Sequence, residues 1–125
     1  MKALIYEYNL DEKRKITDIL GQLEISFKFT SLFEDVIYLN EEYAPDIIIL
    51  NMSEESDEDY FIISEIKKLD FIKYTYVIVL TKNGGIEVGN ICLTAGADDY
   101  FEAKLIDTEL VHRVESGKSV INLFH

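Results

Sequence analysis

The chain has 125 residues, of which 48% are apolar, and its 24 acidic and 12 basic residues give a net charge of −12. This length suits one domain with a single core, and the apolar fraction is too high for a disordered chain. The negative charge disfavours direct contact with nucleic acid or anionic lipid, because both are polyanions. No apolar run approaches the roughly 20 residues of a membrane span. No secretory signal pattern is recognised, and the single cysteine, Cys92, favours a reducing cytoplasm.

Five short segments have the composition of β-strands. Residues 3–6, 47–50 and 76–80 are continuous apolar runs, which are typical of strands covered on both faces in a parallel sheet. Residues 25–29 alternate between apolar and polar side chains, as in a half-exposed edge strand. Residues 99–102 form a weaker fifth candidate.

Helical patterns fill the gaps between these strands. Asn9 is expected to cap the first helix, with Glu12 three residues later completing a capping box. Ser31 and Glu34 form a second capping box before the next helix. The first helix then carries one apolar stripe, which consists of Ile16, Ile19, Leu20 and Leu23.

The later helices are bounded mainly by proline and glycine. The second helix should end near Tyr43, because Pro45 disfavours helical geometry in the residue before it. The fourth, residues 86–94, is weakened by glycine, and the fifth should begin near Asp107 and stop at Gly117. The third carries an apolar stripe of Phe61, Ile62, Ile66 and Leu69.

This β-α order, repeated five times, predicts an α/β protein with a parallel sheet and helices on both faces. In such sheets a ligand or reactive site lies beyond the carboxyl ends of the strands. The candidate site residues at those ends are Glu7, Tyr8, Asn51, Thr81, Lys82, Ala103 and Lys104.

Three segments, PDIIILN, YVIVLTK and AGADDYF, resemble in order and spacing the receiver domains of response regulators in two-component signalling. The resemblance extends to about Val114. It implies a flavodoxin-like (βα)5 three-layer sandwich with a five-stranded parallel sheet in the order 2-1-3-4-5. The receiver-like domain would comprise residues 1–116. Residues 117–125 would be a tail that packs on the domain or a linker to an output domain beyond His125.

The resemblance also implies a chemistry, from which this sequence departs. In the family, an aspartate after the third strand accepts a phosphoryl group, and two acids after the first strand help to hold Mg²⁺. Here Asn51 occupies the acceptor position, and the acid pair reads Glu7-Tyr8. An amide cannot form a normal acyl phosphate, and the lost carboxylates predict weak or absent Mg²⁺ binding and no other cofactor.

Some of the remaining family positions are matched in this sequence and others are not. Thr81 matches the hydroxyl residue after the fourth strand, and Tyr100 matches the aromatic residue that changes rotamer on activation. Lys82 follows Thr81 at a position that is usually small. Ala103 aligns with the position of the family's lysine, and Lys104 lies one residue after that position. Either lysine is a candidate ion-pair partner for Glu7.

The residues and the resemblance together predict an atypical, degenerate receiver that is not an enzyme. It would bind a protein partner or itself, with a homodimer through the fourth and fifth helices implied by the resemblance, and would be the regulatory part of a transcription regulator. The acidic segment, residues 54–59, is interpreted as a solvated loop in preference to a cation site. Two alternatives remain: a small-molecule sensor that uses the vacated pocket, or a receiver phosphorylated at Asp57 or Asp59.

Overall fold

The computed structural model describes residues 1–52, 60–70, 72–82 and 86–124, with the side chain of Ile86 excluded. Five parallel strands form one sheet in the order β2-β1-β3-β4-β5, which confirms the predicted architecture. The strands are β1 (Lys2–Tyr6), β2 (Ser26–Thr30), β3 (Ile47–Asn51), β4 (Tyr76–Thr81) and β5 (Asp99–Glu102).

Helices cover both faces of this sheet. Alternate residues of each strand point to opposite faces, so the continuous apolar runs feed two separate hydrophobic clusters. One cluster packs against α1 and α5, and the other against α2, α3 and α4. The helices are α1 (Leu10–Gln22), α2 (Val36–Tyr43), α3 (Phe61–Lys67), α4 (Ile86–Ala95) and α5 (Ile106–Asn122).

Two predicted helix boundaries are confirmed. The side-chain oxygen of Asn9 accepts a hydrogen bond from the backbone N–H of Glu12 at 3.0 Å, so Asn9 caps α1. Helix α2 ends at Tyr43, and Ala44 takes a left-handed conformation with φ of 49° immediately before Pro45. A right-handed Ala44 would clash with the proline ring, so the chain has to leave the helix there.

The prediction for the start of α2 is wrong, and the predicted apolar stripe of α3 is wrong at Phe61. No side-chain cap forms at Ser31. Instead the Thr30 hydroxyl accepts the backbone N–H of Leu32 at 3.0 Å, and the chain passes through a 3₁₀ turn (Phe33–Asp35) into α2. In α3, Ile62 and Ile66 are buried as predicted, whereas Phe61 is 66% exposed and Ile63 packs in the core instead.

The predicted helix end at Gly117 is also wrong, because α5 continues to Asn122. Gly117 is buried, and a Cβ atom there would lie 2.7 Å from the ring of Tyr76. Its role is to let α5 approach β4 closely. Ile121 joins the core, and the ring of Phe124 stacks on Tyr74 at 4.4 Å. The tail therefore packs on its own domain up to Phe124, whereas an output domain beyond His125 stays a prediction.

Candidate functional site

The carboxyl ends of the three central strands bring polar side chains to one edge of the sheet. Glu7 directly follows β1, Asn51 is the last residue of β3 and Thr81 is the last residue of β4. Their exposures are 1%, 0% and 1%, so all three are buried although they are polar. Burial of polar groups is costly unless they are hydrogen-bonded, so their partners define what this edge can do.

Asn51 joins two carboxyl groups. Its side-chain nitrogen donates one hydrogen bond to Oε1 of Glu7 at 2.7 Å and a second to Oε2 of Glu12. Glu12 lies in the first turn of α1, where the cap by Asn9 fixes its backbone. The other oxygen of Glu7 accepts the backbone N–H of Tyr8 at 3.2 Å. These contacts define the Glu7–Glu12–Asn51 cluster.

The cluster retains a proton. The pKa of Glu7 is raised from 4.5 to about 8, chiefly by burial; the hydrogen bond from Asn51 lowers it, and the hydrogen bond and negative charge of Glu12 raise it. At neutral pH Glu7 is therefore mainly protonated and can donate a hydrogen bond to the Glu12 carboxylate. The cluster thus carries about one negative charge instead of two.

The cluster is a poor fit to Mg²⁺, the metal that the family resemblance implies. Mg²⁺ requires hard oxygen ligands, chiefly ionised carboxylates. Here one carboxyl holds a proton, and both acids face the amide nitrogen of Asn51, which is a hydrogen-bond donor. Among the residues that the structure describes, no three histidine, cysteine or acidic side chains gather into a metal site.

Thr81, on the strand next to Asn51, and Tyr100, on the strand beyond it, have partners of their own. The Thr81 hydroxyl donates to the carbonyl of Phe101 at 3.5 Å, which ties β4 to β5. The half-buried ring of Tyr100 lies against the backbone of α4 at Gly89. A Cβ atom at residue 89 would be 2.1 Å from the phenol oxygen, so this ring position requires glycine there.

The lysines of the predicted site lie elsewhere. Lys82 is exposed, and Lys104, with a side chain 75% exposed, pairs with Glu102 at 3.0 Å. The predicted ion pair between Glu7 and either lysine is wrong, because the Glu7 carboxyl is held by Asn51 and Glu12. Ala103 is buried at the start of the 3₁₀ turn that leads into α5. Tyr8 is 38% exposed, with its ring 6.1 Å from that of Tyr6.

Glu12 is the member of the cluster that the sequence did not reveal. Its spacing from Asn9 explained it as part of a capping box, and that pattern is real for its backbone N–H. Its carboxyl instead reaches residue 51, which is 39 positions away. The acidic segment 54–59, with Asp57 and Asp59, lies outside the described residues.

Comparisons with known proteins agree with this architecture. No protein-family model matches the sequence, and no curated protein matches it. Solved structures do match. A Chloroflexus aurantiacus protein described as a response regulator has 19% identity and a TM-score of 0.82, over 94% of this chain and 97% of its own.

Two further structures are closer in sequence. DrrB of Thermotoga maritima, described as an OmpR/PhoB homolog, is 27% identical with a TM-score of 0.80, over 94% of this chain but only 52% of DrrB. HP1043, described as an orphan response regulator of H. pylori, is 24% identical with a TM-score of 0.79, over 94% of this chain and 95% of its own. The chain therefore has the fold of response-regulator receiver domains. Across the described residues, no helix is long and apolar enough to cross a membrane.

Proposed function

We propose that this chain is a degenerate receiver that signals without phosphorylation at residue 51 and without enzymatic activity. The observation that carries the proposal is the buried Asn51 amide, which donates to Glu7 and Glu12 at the end of β3. An amide lacks the carboxylate oxygen that attacks phosphorus, and both of its N–H groups are already engaged. The position that resembles a phosphoacceptor works as a structural bridge.

The surroundings of Asn51 support the same proposal. Transfer of a phosphoryl group requires cations to neutralise the gathering negative charge. The nearest substitute for the family lysine, Lys104, pairs with Glu102 at the surface, and Glu12 adds a further carboxyl at the acceptor. Glu12 also occupies space beside Asn51, which disfavours the alternative of a small-molecule sensor that uses this position.

The test combines two measurements on the intact chain. Incubation with acetyl phosphate and Mg²⁺, followed by mass spectrometry, should give no mass gain under conditions that label an ordinary receiver. Titration with Mg²⁺ and beryllofluoride should leave the amide spectrum unchanged. Saturable shifts centred on Asn51 and Thr81 would contradict the proposal. A mass gain located at Asp57 or Asp59 would replace it with phosphorylation at a non-standard acid.

We further propose that the output is protein contact through α4 and the start of α5, with a second copy of the chain as the occupant. Ile91 and Leu93, on the two flanks of α4, are 36% and 49% exposed, and Leu105, just before α5, is 40% exposed. Because each copy carries a charge of −12, self-association should strengthen as salt screens the repulsion.

Light scattering should show a dimer that Leu93→Glu weakens about tenfold or more, as expected for an apolar contact residue. The matched change Leu10→Glu on α1, where Leu10 is 75% exposed, should leave the dimer intact.

The proposed place of this domain is the regulatory part of a cytoplasmic transcription regulator. The match to 52% of DrrB, an OmpR/PhoB homolog, supports this proposal. A mobility-shift experiment should show no DNA binding by the 125-residue chain, whose charge is −12, and binding once the proposed output domain is joined to it. Failure of a chain with such a domain to bind any genomic fragment would contradict the proposal.

A further inference from the structure

A cleft of about 300 Å³ lies at the opposite edge of the sheet from the Glu7–Glu12–Asn51 cluster. It opens between the end of α2 and the segment that joins α3 to β4, at the amino ends of β3 and β4. Its volume falls at the lower end of the roughly 300–1,000 Å³ range of small-molecule sites. It is lined by Asn40, Glu41, Ala44, Leu69, Ile72, Lys73 and Thr75.

Asn40 supplies the observation that points to a ligand. It lies in α2, lines the cleft and is only 7% exposed. Over the part of the chain that the structure describes, its carboxamide has no hydrogen-bond partner, whereas every fully enclosed side-chain nitrogen or oxygen atom has one. The amide therefore keeps its remaining accessible surface in the cleft. A buried amide costs free energy when unpaired, and asparagine is a poor helix former, so its presence in α2 calls for a partner.

Two other polar groups of the cleft, on Thr75 and Lys73, are already occupied. The Thr75 hydroxyl donates to the carbonyl of Pro45 at 3.5 Å. The Lys73 ammonium group lies 3.3 Å from the Asp46 carboxylate and also donates to the carbonyl of Ala44. Glu41 lines the cleft from an exposed position, so Asn40 is the buried polar group that remains to recognise a ligand.

The walls and the charges narrow the class of ligand. Ala44, Leu69 and Ile72 give the cleft apolar sides, and Ile72 is 72% exposed at its mouth. An occupant with an apolar body would remove this surface from water. Glu41 and the negative end of the α2 dipole disfavour an anion. The Lys73 charge, although paired with Asp46, disfavours a cation.

We propose that this cleft binds a small uncharged molecule with an apolar body and one amide-like group that pairs with the Asn40 carboxamide. A carboxamide both donates and accepts, so a ligand amide satisfies both of its functions at once. The site is separate from the cluster at residue 51, so it holds or fails independently of the proposed signalling function.

Benzamide is a suitable probe, because it joins an apolar ring to one uncharged amide. Titration of benzamide into the isotope-labelled chain should give saturable shifts of backbone amide signals, confined to residues such as Ala44, Leu69 and Thr75. The Kd should be about 1 mM for so small a molecule. Benzoate, with the same shape and a negative charge, should bind at least about tenfold more weakly, because repulsion by Glu41 adds to loss of the donor.

The variant Asn40→Leu removes the carboxamide but keeps a side chain of similar size, so it tests the hydrogen bond apart from the shape of the cleft. It should weaken benzamide binding about tenfold, the equivalent of one hydrogen bond to a buried group. It should not lower Tm, because Asn40 makes no side-chain hydrogen bond within the described residues. Asn90→Leu, the matched change at an exposed position of α4, should bind benzamide like the unchanged chain.

Three results would overturn the proposal. One is the absence of saturable shifts up to about 10 mM benzamide, which would leave water as the partner of Asn40. The second is equal binding of benzamide by the Asn40→Leu variant, or equal binding of benzoate by the unchanged chain. The third is a marked fall in Tm for Asn40→Leu, which would give Asn40 a structural role instead.

Discussion

Both edges of the sheet contain carboxyl groups that are buried or partly buried, but only at one edge do positive groups compensate their charge. At the amino edge, burial raises the pKa of Asp46, yet the backbone N–H of Lys2 at 2.9 Å and the ammonium group of Lys73 outweigh it and lower the pKa. Asp98 likewise contacts Lys67 at 2.9 Å and the backbone N–H of Val77 at 2.8 Å. At the carboxyl edge, Glu7 faces a second acid and a neutral amide.

This contrast separates acids that bind neighbouring segments of the fold together from acids that are buried against one another at the candidate site. The acids of the amino edge pair with lysines and bind the start of β3 and β4 to the loops around them. Glu7 avoids the cost of an uncompensated charge by keeping its proton. The two edges should therefore respond in opposite ways to pH and to removal of a single partner.

The largest expected effect is the pH dependence of stability at the carboxyl edge. The unfolded chain releases the Glu7 proton near pH 4.5 and the folded chain near pH 8. Between these values the folded state binds more protons, so its stability falls as pH rises and levels off above about 8. The total is of the order of 5 kcal/mol, at about 1.4 kcal/mol per pKa unit. Chemical denaturation of the unchanged chain and of Glu7→Gln, from pH 4.5 to 8.5, isolates this contribution. If the free energy of unfolding changed with pH in the same way for both chains, the pKa of Glu7 would not be raised.

Removal of a cation should be the next largest effect, at the amino edge. Lys67, with a side chain 15% exposed, pairs with Asp70 and Asp98 and donates to the carbonyl of Thr75 at 2.6 Å. Lys67→Met should cost about 3 kcal/mol, because it leaves partly buried acids without their partner. The neighbouring Lys68→Met removes an exposed pair with Glu65 and should cost less than about 0.5 kcal/mol. Similar midpoints in urea for the two variants would contradict this view of the amino edge.

A smaller loss is expected where α5 meets β4. A Cβ atom at Gly117 would lie 2.7 Å from the Tyr76 ring, so Gly117→Ala should cost about 2 kcal/mol through overpacking. Gly21→Ala in α1 meets no atom within 4 Å and should gain up to about 1 kcal/mol from helix propensity. Thermal unfolding of both variants checks this pair. A stabilised Gly117→Ala would mean that α5 does not depend on this close approach.

The smallest change in stability should come from Gly89→Ala, beside the carboxyl edge. The new methyl group would displace the Tyr100 ring, but the gain of about 1 kcal/mol in helix propensity should nearly offset this cost. The aromatic signals of Tyr100 should shift strongly while Tm changes little. Unchanged Tyr100 signals would show that the ring does not rest on α4.

The sequence predicted the sheet well because its three central strands are apolar on both faces, a pattern that depends on neighbouring residues alone. The same reasoning placed Glu7, Asn51 and Thr81 at strand ends that share one edge. This reasoning failed at residues whose local sequence pattern already had an explanation, because nothing in that pattern indicated a distant contact. Glu12 was explained by its cap with Asn9, and Gly117 by its resemblance to a helix end. Their deciding contacts, with Asn51 and Tyr76, depend on how α1 and α5 lie across the sheet.

The bridge formed by Asn51 also affects which substitutions at residue 51 the chain could accept in evolution. An aspartate at position 51 would add a third carboxyl group to Glu7 and Glu12 and would remove the amide donor that bridges those two acids. A single change of Asn51 to aspartate would thus lower stability. Under the proposed function, a chain that regained phosphorylation at residue 51 would have to replace Glu12 first, so the present arrangement would act against that return.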